Sequence, residues 1–202
     1  NLLNIKWPLE PIRCLGIYIG NDKECNYKLN WTNRIESIRA LLQSWKKRDL
    51  TVFGKVCIIK QLAIPKILYS ASMLYTPDNI VKEINSMFFE FIWGKREFVK
   101  RGVMIADVID GGCNMIDVES LFHSVKCSWA IRLLNAHEDE LWPVIAKNVY
   151  DLKRKDFLLF RLSFTNCKKA LFISNLPLFY QQILCAFNKA KCISHDHFCN
   201  TI

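Results

Sequence analysis

From Thr51 to about Leu74 the chain carries apolar side chains on nearly every side of a helical wheel: Phe53, Val56, Ile58, Ile59, Leu62, Ile64, Ile67 and Leu68. An amphipathic surface helix shows one apolar stripe. A helix that is apolar all round must be surrounded. This segment therefore demands a fold in which other helices pack about it. It is not a membrane span, because Lys60, Pro65 and Lys66 interrupt its longest apolar run, Val56 to Tyr75. Thr51 is a suitable N-cap. Pro65 inside the pattern should kink the helix or split it in two.

The neighbouring segments supply the surrounding helices. Trp31, Ile35, Ile38, Leu42 and Trp45 recur on one side of a helix whose other side carries Arg39, Gln43 and Lys47. Lys46, Lys47 and Arg48 close it, where cations suit the negative end of the helix dipole. Pro77 and Asp78 open a third helix with Ile80, Ile84, Met87, Phe88 and Phe91 on one face, and Gly94 ends it. Asp117 should cap a fourth, with Val118, Leu121, Phe122, Val125, Trp129 and Leu133 at helical spacing. Short helices follow near 139–149, 153–162 and 166–173, and a clearer one runs from Leu178 to Lys191 behind Pro177. Residues 12–20 alternate and read as one short strand bounded by Gly20, Asn21 and Asp22, and 21–31 read as polar loop. Between 94 and 116 the pattern is irregular, with Val103–Ala106 strand-like and a turn at Asp110–Asn114. The expected class is mainly α: a helical bundle with one N-terminal strand and a small irregular or strand-like segment near 98–116. The divisions are 1–20, 21–93, 94–138 and 139–202. Trp45, Phe53, Phe88, Phe91 and Trp129 should be mostly buried and join the first four helices.

With 51% hydrophobic and 23% charged residues the chain is not intrinsically disordered. Only 7 Gly argues against an all-β sandwich. Asn1 opens the sequence without a Met or a signal-peptide pattern, as expected of a piece of a longer polypeptide. The nine Cys (14, 25, 57, 113, 127, 167, 185, 192 and 199) include no C-x-x-C pair and suit a reducing intracellular compartment, cytoplasm or nucleus.

No motif for catalysis emerges. Asp107 with Asp110, and Glu138 to Glu140, are the nearest approach to paired metal-binding carboxylates, and read as solvated acids. Cys192, His195, His197 and Cys199 could ligate a metal, but single-residue spacings are too tight for a usual zinc knuckle. No metal site is expected. Charge is more informative. The net charge is +9, and residues 1–101 hold 17 Lys and Arg against 9 Asp and Glu. Lys46, Lys47, Arg48, Lys55, Lys60 and Lys66 lie close in sequence, opposed only by Asp49. Such cations can track phosphates without reading sequence, or simply solubilise a face. Lys55 and Lys66 would share a face of a straight helix, an inference the break at Pro65 works against. Gly54 suits either close approach of a phosphate backbone or close helix–helix packing.

Taken in order, several segments resemble the region just after the catalytic palm of LINE-type (non-LTR) retrotransposon reverse transcriptases. They are Ile12–Ile17, Leu29–Trp31 with the helix ending Ser44–Arg48, Leu50–Lys60, Ala63–Tyr69, Phe88–Gly94, Asp110–Asp117 and Val125–Leu134, with Leu178–Phe187 a weaker downstream match. Cys14 departs from the family's usual aromatic. The resemblance implies that 12–17 is a remnant palm strand near the primer end. It implies that the helices through 93 form a thumb gripping the template–primer duplex, with a connector beyond. The palm's Tyr-x-Asp-Asp motif is missing, since no Asp-Asp pair occurs in the chain. The implied function is a non-catalytic fragment of an RNA-directed DNA polymerase. It would hold an RNA–DNA hybrid or another nucleic-acid duplex through Lys46, Lys47, Arg48, Gly54, Lys55, Lys60 and Lys66. The fragment itself needs no cofactor, while the parent polymerase would use Mg²⁺ in palm and fingers absent from this chain. No membrane partner is implied. The alternative is a helical protein-interaction module, or a decayed element product without activity.

Overall fold

The short N-terminal segment is a hairpin. In the computed structural model, which describes residues 10–94, 98–137, 140–149 and 176–199 (backbone only at 147 and 191–199), strands β1 (Ile12–Cys14) and β2 (Ile17–Ile19) pair antiparallel. Ile12 lies opposite Ile19, and Cys14 opposite Ile17. The single strand expected over 12–20 is thus two. Leu15 (φ 48°) and Gly16 (φ 83°) form the left-handed two-residue turn that matches strand twist. Alternation carries across such a turn and hides it.

Residues 21–31, expected as loop, are helical. Asp22 caps α1 (Lys23–Tyr27), its carboxylate Oδ1 accepting from the backbone N–H groups of Glu24 at 2.9 Å and Cys25 at 3.3 Å. A π-helical turn (Lys28–Thr32) leads into α2 (Asn33–Lys46). No side chain of α1 is buried, so no apolar period marks it in the sequence. The π turn buries Asn30, whose side-chain amide donates to the Tyr18 carbonyl (2.8 Å) and accepts from the Tyr18 N–H (2.9 Å). One side chain thereby pairs with β2 as a third strand would.

The all-round apolar segment divides into α3 (Val52–Ile58), a π-helical stretch (Ile59–Ala63) and α4 (Ile64–Met73). Thr51 caps it, accepting from Gly54 N–H at 3.2 Å. The widened ladder immediately precedes Pro65, where an ordinary turn would set the ring against the Gln61 carbonyl. Helix α5 (Asp78–Trp93) follows and ends at Gly94 (φ 76°). The core of this part comprises Ile38 and Leu42 of α2, Val56, Ile59 and Ile67 of the central segment, and Ile80, Ile84, Phe88 and Phe91 of α5. Phe88 and Phe91 are buried as expected. Trp45 is half-buried, with the Arg48 guanidinium 4.1 Å from its ring centroid. Phe53 is 56% exposed: it lies in the first turn of α3, one turn ahead of Val56, where burial begins.

Val103–Ala106, expected strand-like, falls in helix α6 (Arg101–Ile105) and the residue after it. Only Met104 of this run is buried, and the Lys100 carbonyl accepts from the Val103 and Met104 N–H groups. The Gly-Gly turn then folds back. Cys113 and Met115 donate to the Met104 carbonyl, and Asn114 to that of Ala106. At Gly112 a Cβ would lie 2.0 Å from the Ala106 carbonyl oxygen, so only glycine allows this return.

The chain divides into two compact units: Asn1–Met73 with Pro77–Val118, and Leu74–Thr76 with Glu119–Ile202. The second contains most of α7 (Val118–Leu134), α8 (Leu141–Val149) and α9 (Leu178–Cys199). Ala130, Leu133, Ala146, Leu176, Ile183 and Leu184 form its core, with Trp129, Trp142, Phe179 and Phe187 packed against it. The buried positions of α7 are 118, 122, 126, 130 and 133, so Trp129 is half-buried at the stripe's edge and belongs to this core, not to that of the first helices. Lys126 lies on the buried stripe. Its ammonium donates to the Leu74 carbonyl and sits 4.2 Å from the Phe179 ring centroid. Gln182 of α9 holds Thr76 by both backbone groups, accepting from its N–H (2.9 Å) and donating to its carbonyl (2.5 Å). The expected helices at 153–162 and 166–173 lie outside the described residues. Among the described residues the architecture is mainly α with one two-stranded sheet.

Candidate nucleic-acid interface

The basic residues singled out in the sequence occupy four places on the first unit. Lys46, Lys47 and Arg48 are exposed at the C-terminal end of α2. Helix α5 lies beside α2, with Arg39 and Glu83 joined at 2.7 Å. Seven residues further along each helix, Lys46 and Glu90 line the same cleft, of about 270 Å³, so the helices run in the same direction. Lys46 thus borders this mixed-charge cleft, whereas Lys47 and Arg48 lie past the helix end.

Lys55 has a structural partner. Its ammonium donates to the Ile92 carbonyl at 2.8 Å, satisfying a backbone acceptor in the last turn of α5. Gly54 next to it is not tightly packed. A Cβ there would meet Thr51 Oγ1 at 3.5 Å and Leu50 at 3.7 Å, ordinary contact distances. Lys60 is half-buried in the π-helical stretch. Lys66 is exposed on α4, its ammonium 3.1 Å from Ser37 Oγ on α2. Lys55 therefore reaches α5 and Lys66 reaches α2. The π-helical stretch between them rotates the second relative to the first, and they share no partner.

Arg34 was not singled out in the sequence. Its guanidinium donates to the Gly16 carbonyl (2.6 Å) and to the Lys66 carbonyl (3.2 Å), tying the hairpin turn to α4. Nothing local distinguishes Arg34 from other surface arginines, because its partners are 18 and 32 residues away.

Burial pushes Lys126 down to about 7 and pushes the Cys127 thiol up. Asp107 accepts from the Ile109 N–H at 3.0 Å, as an acid shaping a turn does. Among the described residues no group of three or more His, Cys, Asp and Glu could hold a metal ion. Glu138 and Asp139 lie outside the described residues, as do the side chains of Cys192, His195, His197 and Cys199. Among the described residues no helix is long and apolar enough to cross a membrane.

No protein-family model matches the chain. Over 186 residues, 90% of the chain, it is 25% identical to the transposon TX1 uncharacterized 149 kDa protein of Xenopus laevis. The match spans 14% of that protein's length. The chain is thus similar to one segment of a much longer transposon protein.

Proposed function

We propose that the chain is the thumb and connector segment of a LINE-type retrotransposon reverse transcriptase. In this reading its first unit holds a template–primer duplex by phosphate contacts. The observation that carries it is the exposed basic end of α2, where Lys46 borders the cleft and Lys47 and Arg48 lie past the helix end. Similarity to a transposon protein supports the context. Lys60, half-buried, and Lys66, at Ser37 of α2, add positive charge on the central segment. Lys55 contributes charge from a fixed position, since its ammonium is already engaged by Ile92.

Contacts of this kind read duplex shape and charge, not bases. Affinity for an RNA–DNA hybrid should fall steeply with salt. Each lost phosphate contact should reduce the log–log slope by about one. The test is titration of a hybrid duplex at several salt concentrations with the parent chain and Lys46→Ala/Lys47→Ala/Lys60→Ala. Equal affinity and equal slope would remove these residues from the interface and favour the protein-interaction reading. In the parent polymerase, Mg²⁺ would serve nucleotide addition at palm carboxylates. Without an Asp-Asp pair, this chain alone should extend no primer, and incorporation that depends on an acid within it would overturn the assignment.

A further inference from the structure

The second unit carries an aromatic corner that duplex binding leaves unused. Trp129, on α7, and Trp142, at the start of α8, stand with ring centroids 5.8 Å apart and planes at 75°. They line a cleft of about 560 Å³, within the range of clefts that hold small ligands, together with Arg132, Asn135 and Glu140. Trp142 is oriented by a specific contact: its indole N–H donates to Glu140 Oε2 at 2.6 Å. One carboxylate oxygen is so used, and the other remains an acceptor at the edge of the ring. Arg132, in the last turn of α7, places its guanidinium 5.5 Å from the Trp129 centroid.

These groups define the chemistry of an occupant. An indole face stacks a flat heterocycle, and at the 75° angle a ring stacked on Trp142 would lie steeply inclined to Trp129. An ionised carboxylate accepts only. Guanine presents two adjacent donors, N1–H and the N2 amine, to such an acceptor. Adenine presents a single donor, its N6 amine, beside the unprotonated N1, which the carboxylate repels. Arg132 supplies a cation for a phosphate. A methylated ammonium would also suit an indole beside a carboxylate, but the Arg132 guanidinium lines the same cleft and opposes a second cation.

We propose that this corner binds an unpaired guanine nucleotide, free or within a single strand. The site is distinct from the basic end of α2, so either proposal can fail without the other. The experiment uses the full chain and isothermal titration with GMP and AMP, following the indole N–H resonance of Trp142. GMP should bind at least about tenfold tighter than AMP. Glu140→Gln should erase that preference. Trp142→Phe, which keeps an aromatic ring in the core, should weaken both nucleotides while circular dichroism stays unchanged. Lys46→Ala/Lys47→Ala/Lys60→Ala should leave GMP binding unaltered. The single strands AAGAA and AAAAA distinguish the source. Preference for the first assigns the site to a strand, and binding of GMP alone assigns it to the free nucleotide. Equal binding of GMP and AMP, binding of neither, or binding of a trimethyl-lysine peptide in place of GMP would overturn the proposal.

Discussion

Lys126 is 2% exposed, in a position where the helical period of α7 calls for an apolar side chain. Its aliphatic stem fills that position, while its ammonium takes the Leu74 carbonyl and the Phe179 ring. The lowered pKa has a consequence for stability. Below about pH 7 the ammonium is charged in folded and unfolded chains alike, and stability is at its lowest with respect to this group. Between about 7 and 10.5 the unfolded chain holds the proton and the folded chain does not, so stability rises with pH. The gain between about pH 7 and 8.5 is on the order of 2 kcal/mol. Denaturant unfolding across that range should show the rise, and Lys126→Met should abolish it. Cys127 acts in the opposite sense only when the unfolded thiol ionises, near 9. A second pair of substitutions separates buried from exposed phenylalanine. Phe88→Ala removes a ring with no exposure and should cost about 3–5 kcal/mol. Phe53→Ala removes one that is 56% exposed and should cost well under half of that, as melting curves can show.

Two small elements depend on single residues. The hairpin is too short to be stable alone, and the side chains of Asn30 and Arg34 hold it by hydrogen bonds to its backbone. Asn30→Ala would leave the Tyr18 N–H and carbonyl without these partners. It should cost about 1–3 kcal/mol and raise hydrogen exchange at the Tyr18 amide most of all. An unchanged exchange rate there would show that the hairpin holds without the amide. The Gly-Gly turn offers a contrast within one loop. Gly111 has φ 79° and nothing within 4 Å of a Cβ, so Gly111→Ala should cost roughly 1–2 kcal/mol of backbone strain. Gly112→Ala drives a methyl into the Ala106 carbonyl and should cost more, with loss of α6 packing visible in the methyl resonances of Met104. The reverse order would mean that the return over α6 is not rigid.

At the scale of the molecule, the positive charge of the first half and the aromatic corner of the second unit are different kinds of surface. The first predicts salt-dependent, sequence-tolerant duplex binding. Lys55→Ala should act differently from Lys47→Ala. It frees the Ile92 carbonyl and should lower stability by about 1 kcal/mol, whereas Lys47→Ala should leave stability unchanged and reduce only duplex affinity. Thermal melting and hybrid titration on the same two variants check this directly. Equal stability loss in both would contradict the capping role of Lys55.

Sequence alone determined the helical class, because a 3.6-residue apolar period over Ile35–Leu42, Ile80–Phe91 and Val118–Leu133 can bury itself only as helices. It also determined the ends at Thr51, Pro77 and Gly94, because caps and breakers act through their own backbone. Tertiary structure decided what depends on distant partners. The turn at Leu15 and Gly16 is hidden by continuing alternation, and α1 by its lack of a buried face. Helix α6 needed only one buried anchor, Met104. The π-helical stretch before Pro65 set where Lys55 and Lys66 point, and so which basic residues are committed to backbone acceptors. Lys126 looks in sequence like one more surface cation. Its burial follows from Leu74, fifty-two residues earlier, and Phe179, which no local period can bring together with it.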